Sequence, residues 1–177
     1  MLVIPANFFH LSDTLSVGLT STLLGNVFEE FLKEKADYVS NIRQPSFPDG
    51  LDVEIMSMEA LSIAWRESIV RSDREHVTQF IWRQPQRFQI RNVSAAHDLS
   101  RMRWTVDEAG DLNFVRRVFA ELHRKGKDGL HYKEVLKVIQ DSDLTDTSTE
   151  FVRNEGQIRA MLKDNLNYSE NMKQFEV

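Results

Sequence analysis

Apolar and polar positions alternate in strand and helix patterns over the first two thirds of the chain, then become mostly helical. Leu2-Val-Ile4 is a short apolar run ended by Pro5, fitting a buried strand or an unstructured start. Asn7 to Gly25 is rich in Ser, Thr and Leu and has no clean period. From Asn26 to Lys35, Val27, Phe28, Phe31 and Leu32 have the spacing of one helical face. Ala36 to Ser40 reads as a short strand, and Gln44 to Gly50, with two prolines and Asp-Gly, as a turn-rich loop. Leu51 to Met56 alternates, putting Asp52 and Glu54 on one face of a strand and Val53 and Ile55 on the other. Ser57 caps a helix running to about Val70, with Leu61, Ala64 and Trp65 as its apolar stripe.

Ser72-Asp73 caps a second helix, Arg74 to Arg83, which stops before Pro85. Phe88 to Val93 and Arg103 to Val106 read as strands. Beyond Asp107 the pattern is helical: Leu112, Val115, Val118, Phe119 and Leu122 form one stripe. Leu130, Val135, Leu136 and Ile139 form a second on a helix beginning at Gly129, and a last helix covers about Glu150 to Leu166. Trp65 and Trp82 fall at apolar helical positions and are expected in the core. Strands separated by helices indicate an α/β protein.

Composition narrows the class. Of 177 residues, 41% are hydrophobic and 28% charged, which argues against wholesale disorder. A net charge of −5 lacks the basic footprint of a general nucleic-acid binder, so no nucleic-acid partner is expected. No apolar run approaches the ~20 residues that span a bilayer, and Met1 to His10 lacks the features of a signal peptide. With no cysteine there are no disulfides, thiolate metal sites or cysteine nucleophiles, and a cytoplasmic setting is expected. Only 7 glycines and 4 prolines argue against an all-β design.

Four clusters carry candidate chemistry. Asp52 and Glu54, two apart on a strand, could share a divalent cation, though the plain reading is the solvent face of an edge strand. Arg74-Glu75-His76 at a helix start offers a guanidinium fork, a proton-transfer group and free N–H groups, or simply a solvated first turn. Asp107 directly follows a strand, where ligands bind in open α/β sheets, and equally suits a helix N-cap. Arg153-Asn-Glu-Gly156 interrupts the last helical pattern, as an approach point for another backbone or as a loop. No Walker loop, G-x-G-x-x-G, G-x-S-x-G or H-E-x-x-H occurs, and His10, His97, His123 and His131 show no ligand spacing.

In order, Ala36-Asp-Tyr-Val-Ser-Asn41, Phe47-Pro-Asp-Gly-Leu-Asp-Val-Glu54, Ser57-Met-Glu-Ala-Leu61, Arg74-Glu-His-Val-Thr78, Leu99-Ser with Arg103-Trp-Thr-Val-Asp107 and Asp111-Leu112, and Arg153-Asn-Glu-Gly156 resemble the cytidylyltransferase-like proteins of spore-coat polysaccharide biosynthesis. These are relatives of the acylneuraminate and 3-deoxy-manno-octulosonate cytidylyltransferases. The resemblance runs from about Glu29 to Leu162. It implies a nucleotide-diphospho-sugar transferase-like α/β fold, a mixed sheet flanked by helices. It also implies transfer of CMP from CTP to a sugar acid or related sugar, with Mg²⁺ and release of pyrophosphate.

By position the resemblance makes Asp107 a metal ligand and places Asp52, Glu54, Arg74 and His76 on the sugar side, with Arg74, Glu75 and His76 as catalytic candidates. The family's Gly/Arg/Lys-rich triphosphate loop has no counterpart in these residues, and Asn7 stands where a second metal-binding acid is expected. Residues 1–28 match the family poorly, and 107–177 form the helical end of what reads as a single, partial domain. The expectation is therefore the C-terminal portion of such an enzyme, lacking the N-terminal nucleotide-binding portion and weak or inactive alone. Its partners would be nucleotide and sugar when completed by that portion, and a homo-oligomer or complementing subunit is expected. The alternative is a non-catalytic dimerisation or partner-binding module on the same fold.

Overall fold

The structure is a computed structural model, and it describes residues 8–11, 21–107, 109–127, 131–144 and 158–164. The elements in chain order are β1 (Phe8–Leu11), α1 (Ser21–Glu34), β2 (Tyr38–Ser40), β3 (Val53–Met56), α2 (Met58–Glu67), α3 (Arg71–Glu75), α4 (Gln79–Trp82), β4 (Ile90–Asn92), α5 (Ala109–Arg124) and α6 (Tyr132–Asp141). Residues 158–164 are also helical. The four strands form a mixed sheet in the order β1-β3-β2-β4. β3 runs antiparallel to both β1 and β2, whereas β2 and β4 are parallel, with Tyr38, Val39 and Ser40 opposite Ile90, Arg91 and Asn92.

Period-two alternation splits the interior into two cores, one on each face of the sheet. Val39, Val53 and Ile55 point to the larger core, where they meet Leu23, Val27 and Phe31 of α1, Phe114, Val118 and Leu122 of α5, and Val135, Val138 and Ile139 of α6. Tyr38 and Met56 point the other way, onto Ala60 and Ala64 of α2, Ile81 of α4 and Phe88. The α2 N-terminus forms as its sequence dictates: Ser57 Oγ accepts from the Ala60 N–H at 3.0 Å.

Several local expectations change. α1 starts at Ser21 rather than Asn26, because Leu23 is drawn into the core from a stretch without visible period. That stretch also contains β1, while the run Leu2 to Ile4 lies outside the described residues. The single helix expected over Arg74 to Arg83 is two short ones, α3 and α4, broken at His76 (φ −114°, ψ 59°). On either side of the break Ser72, Asp73, Thr78 and Gln79 are buried. Arg103 to Val106 is not a strand; it makes one parallel bridge, Asp49 to Arg103. Trp65 is 70% exposed, since α2 buries the face of Ala60 and Ala64 and turns its neighbour outward. On α5 the buried face is Asp111, Phe114, Val118 and Leu122, leaving Leu112 and Phe119 exposed. Arg153 to Gly156 and most of the expected last helix lie outside the described residues. Among the described residues no helix is long and apolar enough to cross a membrane.

Candidate functional site

The carboxyl ends of β2 and β4 lie side by side, the place where open α/β sheets receive ligands. The chain leaving β2 there is clamped on two sides. Asn41, fully buried, donates from Nδ2 to the Leu51 carbonyl at 2.8 Å and accepts the Val53 N–H on Oδ1 at 2.8 Å. Asn92, at the end of β4, accepts from the Gln44 N–H at 3.1 Å and donates to the Gln44 carbonyl at 3.3 Å. Between these clamps Arg43 is exposed, its guanidinium 3.7 Å from the centre of the Trp82 ring.

Behind it lies a buried polar pair: the Tyr38 hydroxyl donates to Glu54 Oε1. Burial pushes the Tyr38 phenol well above its usual range and the Glu54 carboxylate adds to the rise, while the Arg43 guanidinium works the other way. Asp52 is buried on the same face of the same chain segment. β3 is flanked by β1 and β2, so Asp52 and Glu54 are not on the solvent face of an edge strand. A buried carboxylate needs hydrogen-bond donors, and for Glu54 the donor is Tyr38.

A second group surrounds Arg103, whose side chain is 15% exposed. Its guanidinium meets Asp107 Oδ2 at 2.5 Å, both oxygens of Asp111 at 3.4 Å, and Asp49 Oδ2 at 3.5 Å. Partial burial disfavours the Arg103 charge, and the hydrogen bonds and charges of Asp111, Asp107 and Asp49 outweigh it, leaving the pKa raised. Asp111, in the first turn of α5, also accepts the Asp107 N–H at 2.9 Å and so ties Asp107 to the start of this helix. Gly50 lets the two loops meet. Its φ is +94°, and a Cβ there would stand 3.0 Å from Thr105 N and from the Trp104 carbonyl carbon and oxygen.

A third group joins α3 to α4. Asp73, deeply buried, receives Arg83, and the Ser72 N–H donates to Asp164 at 2.7 Å. Burial raises the Asp73 pKa, and Asp164 adds to this against the pull of Arg83. The Gln79 side-chain amide is fully buried without a hydrogen-bond partner among the described residues.

No family model matches the chain. An uncharacterized protein of Methanocaldococcus jannaschii is 30% identical over 104 residues, which are 58% of this chain and 40% of that protein. A cytidylyltransferase of Leptospira borgpetersenii superposes with a TM-score of 0.64 at 19% identity, over 76% of this chain and 56% of its own. This chain therefore spans less than two thirds of the length of each. The fold is nucleotidyltransferase-like.

Within this fold the expected residues are dispersed differently from their sequence reading. Asp52 and Glu54 sit beside the β2–β4 end, buried. Arg74 and Glu75 are exposed and His76 half-buried at the end of a five-residue helix, not at a helix start, so free N–H groups do not accompany them. Arg74 Nε donates to the Ser68 carbonyl at 3.0 Å. Asp107 is 57% exposed and ion-paired with Arg103. Trp82, expected in the core, is instead the partly buried platform under Arg43. Tyr38, Asn41, Arg103 and Asp111 fall inside the motifs that carry the resemblance but were given no role there, and Arg43 and Gln79 were not singled out; the four-residue spacing of Arg103, Asp107 and Asp111 is a further signal in the sequence.

Among the described residues no three His, Asp or Glu side chains converge as a metal cage. Mg²⁺ is commonly held by one or two carboxylates together with substrate phosphates and water. The donor set, one exposed carboxylate on Asp107, fits an ion that arrives with a nucleotide and does not fit a protein-only site.

Proposed function

We propose that these residues form the acceptor-sugar side of a sugar nucleotidyltransferase that moves CMP from CTP to a sugar acid or related sugar. A sugar hydroxyl oxygen bonds to the α-phosphorus, the bond to the β-phosphate breaks, and pyrophosphate leaves. The reading is supported above all by the likeness to a cytidylyltransferase across 76% of the chain. Asp52, Glu54, Arg74 and His76 are assigned to the sugar, and Arg74, Glu75 and His76 to positioning and proton movement at the transfer. Asp107 would lend a carboxylate to Mg²⁺, which supplies charge neutralisation for the phosphates when bound. The exposure of Arg74, Glu75 and Asp107 leaves them available to substrate. Spore-coat polysaccharide synthesis is the process this chemistry would serve.

These 177 residues contain no Gly/Arg/Lys-rich triphosphate loop, so the chain alone should show little CTP-dependent transfer. Pyrophosphate release with CTP, Mg²⁺ and a panel of sugar acids tests both parts. Robust turnover by the chain alone would overturn the incompleteness. A chimera carrying the nucleotide-binding half of a cytidylyltransferase, folded yet inert with every sugar acid, would overturn the transferase assignment.

A second reading, a dimerisation or partner-binding module, is favoured by one observation. Trp65, Ile69 and Val70 leave an apolar surface at the end of α2, with Ile69 95% exposed. Light scattering discriminates: a monomer at high concentration counts against self-association.

A further inference from the structure

Arg43 has the properties of a receptor in waiting. Its backbone is fixed on one side by Asn41 to β3 and on the other by Gln44 to Asn92 in β4. Its guanidinium carbon lies 3.7 Å from the centre of the Trp82 ring, a contact that partly desolvates the cation and restricts the side chain. The side chain makes no hydrogen bond or ion pair among the described residues, unlike Arg83, Arg87, Arg103 and Arg124, which all meet carboxylates. A guanidinium over a ring at this distance can still present N–H groups to two oxygens of a planar oxyanion. The position is three residues past the carboxyl end of β2 and beside that of β4. An orientation fixed before binding removes much of the ordering cost that a free surface arginine would incur.

We propose that Arg43, laid on Trp82, is the receptor for the carboxylate of the acceptor sugar acid. This rests on the sugar-acid reading above and names its specificity determinant. The two-pronged grip suits a carboxylate, whose two oxygens match the N–H edges of a guanidinium. A neutral sugar offers the guanidinium only hydroxyl acceptors, without the charge or the paired oxygens of a carboxylate.

The test needs no CTP. The full chain, with ¹⁵N-labelled arginine, is titrated with glucuronate, with glucose and with inorganic phosphate, following the Arg43 Nε–H resonance and tryptophan fluorescence. Glucuronate should give a saturable shift of that resonance, and glucose none. Arg43→Gln should abolish the binding. Arg43→Lys, which keeps the charge and loses the fork, should weaken it by about tenfold or more. Both substitutions are at an exposed position, and circular dichroism verifies that they fold. No shift with glucuronate to its solubility limit, an equal shift with glucose, or undiminished binding by Arg43→Gln would overturn the proposal. Phosphate binding as tightly as glucuronate would overturn the carboxylate assignment in favour of a phosphate subsite. A positive titration with an inert chimera sinks the transferase reading alone; an active chimera whose KM for the sugar acid ignores Arg43→Gln sinks this proposal alone.

Discussion

Replacing Asn41 with Ala should destabilise the protein by several kcal/mol, although it removes only three heavy atoms. The side chain is fully buried and joins the end of β2 to the lead-in of β3. Its Nδ2 satisfies the Leu51 carbonyl and its Oδ1 satisfies the Val53 N–H, both at 2.8 Å. The separate main-chain bond from the Asn41 N–H to the Val53 carbonyl, 3.3 Å, survives the change. Two buried main-chain groups are then left without partners, each costing about 1–3 kcal/mol. With imperfect additivity the total is about 2–5 kcal/mol, a large share of the ~5–15 kcal/mol that holds a typical domain together. Urea unfolding followed by circular dichroism measures it as a lower midpoint at unchanged slope. Asn41→Asp should cost a similar amount, because an acceptor then faces the Leu51 carbonyl. A loss for Asn41→Ala below about 0.5 kcal/mol, the level of an ordinary surface substitution, would show that the clamp does not hold the chain that carries Arg43.

Gly50→Ala should lower the melting temperature clearly. A φ of +94° costs a side chain about 1–3 kcal/mol, and the new Cβ also presses on backbone atoms of Trp104 and Thr105 that cannot swing aside; a variant as stable as the parent refutes the close approach of the two loops. Glu121, which accepts from Arg124 and from Ser142 Oγ, has its pKa lowered from 4.5 to about 2, first by Arg124 and next by Ser142. Its contribution to stability is therefore complete above pH 4.5 and disappears as the pH falls toward 2. Glu121→Gln should show a shallower loss of stability across that window, and parallel acid-unfolding curves would refute the link it makes between α5 and the end of α6.

Alternation in Leu51 to Met56 was readable and correct in what it implies: Val53 and Ile55 face one way, Glu54 and Met56 the other. What alternation cannot tell is whether the second face is wet. That is decided by β1 and β2 on either side and by α2 and α4 above, all distant in sequence. The N-cap at Ser57 was legible because a cap is a local event between residues three apart. The break at His76 was not, since nothing in Arg-Ser-Asp-Arg-Glu-His-Val-Thr distinguishes one polar helix from two, and the buried destinations of Asp73 and Gln79 come from tertiary packing. Arg43 and Trp82 are 39 positions apart and meet only because the fold brings the end of β2 beside α4. The ordered motifs pointed to the fold without revealing which of their side chains touch.

The same contrast between local and tertiary chemistry governs Asp107. Read along the chain it is an acid after a strand, free to hold Mg²⁺; in the fold it is paired with Arg103, which Asp49 and Asp111 share, so an ion arriving with nucleotide has to compete with that pair. Three carboxylates around one guanidinium leave a local charge of about −2, and two of them, Asp49 and Asp111, are buried. Breaking a buried pair by removing one partner typically costs about 3–5 kcal/mol. Arg103→Gln should therefore destabilise the protein strongly, and the acids that lose their counter-charge should then attract a divalent ion. Thermal unfolding with and without MgCl₂ separates this from an ordinary loss of packing. The parent should respond little to Mg²⁺, because the ion must compete with Arg103 for Asp107, whereas Arg103→Gln should regain part of its lost stability. If Mg²⁺ raises the melting temperature of the parent as much as that of Arg103→Gln, then Arg103 does not stand in for the metal, and Asp107 binds the ion without competition.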